Sequence, residues 1–200
     1  MPTLRSALKA GVISTIVLAS SCAHAALIEY TSRAAFNAAT TTRSVEPNQA
    51  PPNSYYFVGG LDYNGIQYPG SAYMIDPGYA PSLYEWGSGP VLLLARQSAL
   101  SFAPVTAFAV DFGTLPDGSP ITVTIDGIAS VIGTPAQRQL TFRGWASSTP
   151  FSTVAFSTPA QYLILDNVTR AEVQPVPAPA PLALTGLALL AFAARRRSGH

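Results

Sequence analysis

Between residues 26 and 174 the chain has no histidine, no cysteine and no lysine; His24, His200, Cys22 and Lys9 all lie outside that stretch. These absences exclude thiolate nucleophiles, histidine bases, Ser-His-Asp triads, Schiff-base lysines, disulfides and zinc sites of the nitrogen–sulfur type. Carboxylates are the acid–base equipment that remains. Glu46, Asp62, Glu85, Asp111 and Asp126 could in pairs serve a glycan hydrolase, which needs two carboxyl groups roughly 5–9.5 Å apart across the scissile bond. No pair is marked out by spacing. The reading is therefore of a non-enzymatic protein, with a carboxylate-dependent glycan hydrolase as the alternative.

Carboxylates and carbonyls could also hold calcium, which takes only oxygen ligands. Glu46, Asp166 and Asn167 are the candidates for such a structural ion, and no other cofactor is expected. The simpler reading, which we prefer, makes Asp166-Asn167 a strand-end or turn pair that hydrogen-bonds its own backbone. A second kind of chemistry is stacking. Seven of the nine tyrosines (55, 56, 63, 68, 73, 79 and 84) and Trp86 fall within residues 55–86. Aromatic faces suit the C–H faces of sugars, and their polar tips tolerate water. Tyr84 and Trp86 are the candidate glycan contacts. The competing reading is that tyrosine is simply a good strand residue whose hydroxyl sits at the surface.

The elements that would position these groups are mostly strands. Thr31 or Ser32 caps a short alanine-rich helix near 32–39, with Phe36 as its anchor. Residues 40–54, rich in Thr, Asn and Pro, read as loop. Asn64-Gly65, between Leu61-Asp62-Tyr63 and Ile66-Gln67-Tyr68, is a strong hairpin signal. Val91–Ala95, Ala99–Ala103, Val105–Phe112, Ile121–Asp126, Gln139–Arg143, Phe151–Phe156 and Tyr162–Val168 read as further strands. In the third of these, Phe108, Val110 and Phe112 share one face, and Ala107, Ala109 and Asp111 the other. Many short strands with Gly, Pro and Asp between them, and no βαβ rhythm, predict an all-β antiparallel sandwich or jelly roll over residues 26–174. That stretch holds all ten acidic residues and six arginines (33, 43, 96, 138, 143 and 170), a net charge of −4. It offers no basic cluster for nucleic acid.

The two ends follow different physics. Residues 1–25 read as a signal peptide for Sec-type export. Arg5 and Lys9 precede an apolar run from Ala10 to Ala19, and Ala23-His24-Ala25 forms a small-x-small cleavage site. The rival reading, a lipoprotein acylated at Cys22, lacks the usual leucine three residues earlier, where Ala19 stands. Residues 175–181 alternate proline with Val and Ala and make a stiff spacer. Leu182–Ala194 is a short apolar transmembrane helix closed by Arg195, Arg196 and Arg197, which orient the C-terminus toward the cytoplasm. This layout suits a transient anchor that a membrane protease removes, as in GPI signals; a permanent single-pass anchor in the periplasm is the alternative.

Residues 176–197, VPAPAPLALTGLALLAFAARRR, resemble the PEP-CTERM sorting signal of Gram-negative bacteria. Val176-Pro177-Ala178-Pro179 stands where that signal has Val-Pro-x-Pro, with Ala178 in place of the usual glutamate. Tyr30–Phe36, Val105–Phe108 with Asp111-Phe112-Gly113, Phe142–Trp145 through Phe151, and Leu165–Val168 resemble segments of proteins that carry it. The resemblance implies processing by an exosortase-like membrane protease, passage through an inner-membrane intermediate, and a final place at the cell surface or in the extracellular matrix with polysaccharide. It brings no catalytic residues.

Overall fold

A computed structural model describes residues 26–81, 86, 89–115, 118–133 and 139–175. The signal peptide with Cys22, Ala23 and Ala25 lies outside them. So do Tyr84 and the sorting tail with Val176, Pro177, Ala178, Pro179 and Arg195–Arg197. Among the described residues no helix is long and apolar enough to cross a membrane.

The fold is all-β. In chain order the elements are β1 Leu27–Tyr30, α1 Arg33–Ala39, β2 Thr40–Val45, β3 Tyr55–Phe57, β4 Asp62–Tyr63, β5 Ile66–Gln67, β6 Tyr73–Ile75, β7 Val91–Leu115, β8 Ile121–Ile125, β9 Ile128–Ile132 and β10 Thr141–Val173. They form one antiparallel sheet with the main path β3-β6-β7-β10-β8-β9. The strands expected to be many and short are dominated by two long ones, of 25 and 33 residues. Pro104, Pro150 and Pro159 bend these strands without ending them. The β10 prolines fall at its register shifts, between Ala146 and Phe151 and between Ser157 and Tyr162, where the missing N–H leaves no ladder bond broken.

The bends carry the architecture. Residues 141–146 of β10 pair with 107–112 of β7, residues 151–157 pair with 97–105, and residues 162–171 return along the other edge of 107–115. Both strands thus fold back over their own apolar side. Phe102 and Phe108, six positions apart on β7, stack with ring centres 5.7 Å apart. Phe108, Val110 and Phe112 enter this core with Trp145, Val154, Leu163 and Leu165. The opposite face of β7 is buried too. Ala107 and Ala109 join Ala146 and Ala171 in a trough of small residues filled by Phe36 of α1. The Ser32 side chain caps α1 by accepting from the Ala35 amide at 3.5 Å.

Residues 40–45, expected as loop, form a strand. The run Thr40-Thr41-Thr42, β-branched throughout, forms edge strand β2 beside residues 169–173 of β10, and the loop starts only at Glu46. The Asn64-Gly65 turn is as expected, with φ of 51° and 74° joining β4 to β5. Asp126-Gly127 makes the same turn between β8 and β9 (φ 49° and 77°), a hairpin the strand reading omitted.

One consequence of the folded-back strands is polarity. Ala26 and Val173 line one shallow groove with Ile28, Tyr30 and Ala146, and the Gln174 amide donates to Ala39 O at 2.9 Å. The chain therefore enters and leaves the folded body at the same pole. Tyr162 and Ile164 mark the other end of that arm of β10, roughly 30 Å away at about 3.3 Å per residue.

Candidate functional site

At that far end the outer face of the sheet is aromatic. The pairing of β3 with β6 sets Phe57 opposite Tyr73 and Tyr55 opposite Ile75, so Tyr55, Phe57 and Tyr73 stand on one face. Tyr55 and Tyr73 have ring centres 4.3 Å apart, Phe57 and Tyr73 5.1 Å, and Tyr55 and Tyr79 5.5 Å. The four rings form a row in the order Phe57, Tyr73, Tyr55, Tyr79. Phe57 and Tyr79 are 49% and 53% exposed, and β3 is the terminal strand of the sheet path.

Local turns hold the ends of the row. The Asp76 carboxylate accepts from the Asn53 and Gly78 amides, each at 2.9 Å, and the Tyr79 amide donates to Asp76 O at 3.0 Å. Gly59 seats Phe57: a Cβ there would stand 2.6 Å from the phenylalanine ring. Tyr73 ties the ledge to a buried cluster of Ile75, Val91, Leu93, Ile164 and Trp86.

Trp86 corrects the expected stacking site. It is 5% exposed and packs over Gly113, where any side chain would strike its ring, so it offers no face to a sugar. The other tyrosines divide likewise: Tyr68 is buried, while Tyr55, Tyr56 and Tyr79 are exposed. Phe57, which the tyrosine and tryptophan pattern does not single out, joins them. The alternation of aromatics at 55 and 57 was the signal that could have found it.

The three residues considered for calcium separate into two groups. Asp166 lies opposite Asp111 across β10 and β7, and the Asn167 side-chain amide donates to both, at 3.3 and 2.8 Å. The Asn167 backbone amide and Asn48 Nδ2 donate to Asp166 Oδ1 at 2.7 and 3.1 Å. Arg33 Nη2 of α1 sits 2.6 Å from Asp111 Oδ2, with its guanidinium over the Phe142 ring. Asn167 has φ of +49° at a register shift inside β10, so the pair sits at a bulge within a strand and not at a strand end or turn. The Asn167 amide bond to Asp166 is its local part, and the bonds to Asn48 and Asp111 reach distant segments. Glu46 is elsewhere, accepting from Asn64 Nδ2 at 3.1 Å. Among the described residues, no three His, Cys, Asp or Glu side chains gather where an ion could sit. The Asp111–Asp166 pair is bridged by one amide and covered by one guanidinium, an arrangement that clasps four chain segments together.

Burial raises the Asp166 pKa, the Asp111 charge adds to the rise, and the bonds from Asn167 and Asn48 oppose it. Burial also raises that of Glu46, against the Asn64 bond and the Arg170 charge. A carboxyl that binds its proton more tightly folded than unfolded favours the fold most below its unfolded pKa, and that contribution falls as pH rises through the folded pKa. Asp166→Asn keeps one acceptor oxygen for Asn48 and the Asn167 backbone amide, gives up the longer 3.3 Å bond from the Asn167 side chain, and removes the charge that faces Asp111. Its thermal midpoint should exceed the wild type's at neutral pH, with the gap closing as pH falls to about 4, the ordinary Asp range. A variant less stable than wild type at neutral pH would contradict this.

No family model, curated protein or solved structure matches this chain. The site must therefore be read from its own geometry.

Proposed function

We propose that this is an exported, exosortase-sorted surface protein of the PEP-CTERM type that associates with extracellular polysaccharide and is not an enzyme. On this reading the body is a jelly-roll-like β-sandwich. The Sec-type machinery and an exosortase-like membrane protease act on its two ends. The observation that carries the binding half is the aromatic row Phe57-Tyr73-Tyr55-Tyr79, in which Tyr55 and Phe57 of the terminal strand β3 and Tyr79 of the turn after β6 are exposed around the half-buried Tyr73 of β6. The exposed rings of Phe57 and Tyr79 offer apolar surface, and the tyrosines offer phenolic tips, which suits a hydroxyl-rich polymer. The shared pole of Ala26 and Val173 supports the sorting half: a signal peptide and a tail leaving side by side turn the aromatic end away from the membrane.

The sorting half is tested by intact mass of protein recovered from the cell surface. The expected species lacks residues 1–25 and everything from Leu182 onward. Surface-released protein that still contains Ala183–Arg197 would replace the sorting tail with a permanent anchor.

A further inference from the structure

We infer that the aromatic ledge on β3 and β6 binds an uncharged polysaccharide, one whose sugar rings present flat C–H faces, and binds it by stacking without ionic contacts. This rests on the polysaccharide reading above and gives it a location and a ligand class. An anionic polymer would need cations, and residues 26–174 contain no lysine and carry a net charge of −4. Of the five arginines among the described residues, Arg96 alone stands exposed on the β7 stretch near the ledge, and the other four are engaged away from it. Arg33 holds Asp111, Arg43 donates to Asn37 O and Thr40 O, Arg143 pairs with Glu29 at 3.0 Å, and Arg170 donates to Asn64 O and Gly65 O. The carboxylate beside the row, Asp76, is turned into its own loop by the amides of Asn53 and Gly78.

The geometry argues for a chain and not a single sugar. Successive ring centres 5.1, 4.3 and 5.5 Å apart make an extended strip along the sheet margin. Tyr55 and Tyr73 lie face to face and turn those faces to each other, so a sugar chain meets the strip mainly at its exposed end rings, Phe57 and Tyr79, and a chain long enough to reach both should bind better than a short one. Stacking on neutral faces releases no counterions, so salt should leave it unchanged, unlike an ionic contact.

The test is affinity electrophoresis of the processed body in gels containing galactomannan, mixed-linkage β-glucan or alginate, with and without high salt. Wild type should be retarded by one or both neutral polymers at either salt level, and not by alginate. Tyr79→Ala with Phe57→Ala should weaken retardation roughly tenfold, given the modest worth of each ring contact. Tyr79→Phe, which keeps the ring, should retain it. Both variants should keep the wild-type thermal midpoint within a few degrees, since the removed rings are half exposed.

Equal retardation of wild type and the double variant would overturn the ledge as the site while leaving polysaccharide association intact. Salt-sensitive retardation by alginate alone would overturn the ligand class. No retention on either neutral polymer, or on polysaccharide recovered from the producing cells, would overturn both readings. A dimer in sedimentation that disappears with Phe57→Ala, without glycan retention, would assign the ledge to a second copy of the chain and overturn the inference.

Discussion

Replacing Trp86 with alanine is expected to lower the stability of the folded body by about 3–5 kcal/mol, the usual cost of deleting a large buried ring. The ring is 5% exposed and fills the space above Gly113, among Ile75, Val91, Leu93 and Ile164. The surroundings are strands from β6, β7 and β10, whose ladders resist collapse into the void, so the cavity contribution should be near its full value. Tyr79→Ala removes a ring of similar chemistry that is half in water, and its cost should stay within about 0.5 kcal/mol. Chemical denaturation of the two variants side by side separates core from ledge. A Trp86→Ala protein as stable as wild type would mean that the segment carrying Trp86 lies off the sheet in solution.

That contrast shows where the sequence was readable. Chemistry with a local cause was legible: the Ser32 cap and Phe36 anchor of α1, the Asn64-Gly65 turn, and the placing of Phe108, Val110 and Phe112 on one face. Each depends on residues within a few positions of one another. What depended on partners distant in the chain was not. Pro104, Pro150 and Pro159 looked like breaks because a proline's cost depends on whether its missing N–H faces a ladder, which only the pairing decides. The threonines of β2 looked like loop because their edge position is supplied by residues 169–173.

The site divides the same way. The density of tyrosine and tryptophan in residues 55–86 marks the region that holds the aromatic ledge, since aromatic content is a local property. Which rings face outward is set by strand parity and by what covers them. Trp86 is covered, whereas Tyr55 and Phe57 on β3, the last strand of the sheet path, and Tyr79 in the turn after β6 are exposed among the described residues. The Asp111–Asp166 clasp is a matter of register between two strands, 55 positions apart, and no spacing rule could mark it. The Asp126-Gly127 turn has no such excuse: it carries the same signal as Asn64-Gly65, and with it β9 was within reach.

Phe36→Ala should be as costly as Trp86→Ala, about 3–5 kcal/mol, with wider consequences. Phe36 is fully buried in the trough of Ala107, Ala109, Ala146 and Ala171, with Tyr30 and Phe142 meeting its ring edge-on at 5.8 and 6.0 Å. The trough exists because its residues are small. A Cβ at Gly144 would approach the Phe36 ring to 2.5 Å, so Gly144→Ala alone should cost about 1–3 kcal/mol by overpacking. The two changes bear on the same volume from opposite sides. The added methyl should partly fill the space left by the ring, and the double variant should be more stable than the sum of the single losses predicts, by about 0.5–3 kcal/mol. Strict additivity in denaturant titration would mean that α1 shifts to accommodate each change separately. Arg33 offers an independent reading, because it rides on α1 and reaches Asp111 at 2.6 Å. If Phe36 holds the helix down, its loss should also release that ion pair. Asp111→Asn, destabilising in the wild-type background, should then cost markedly less in Phe36→Ala. The pole where the chain enters and leaves would loosen while the aromatic ledge, at the far end of β10, kept its geometry and its glycan retention.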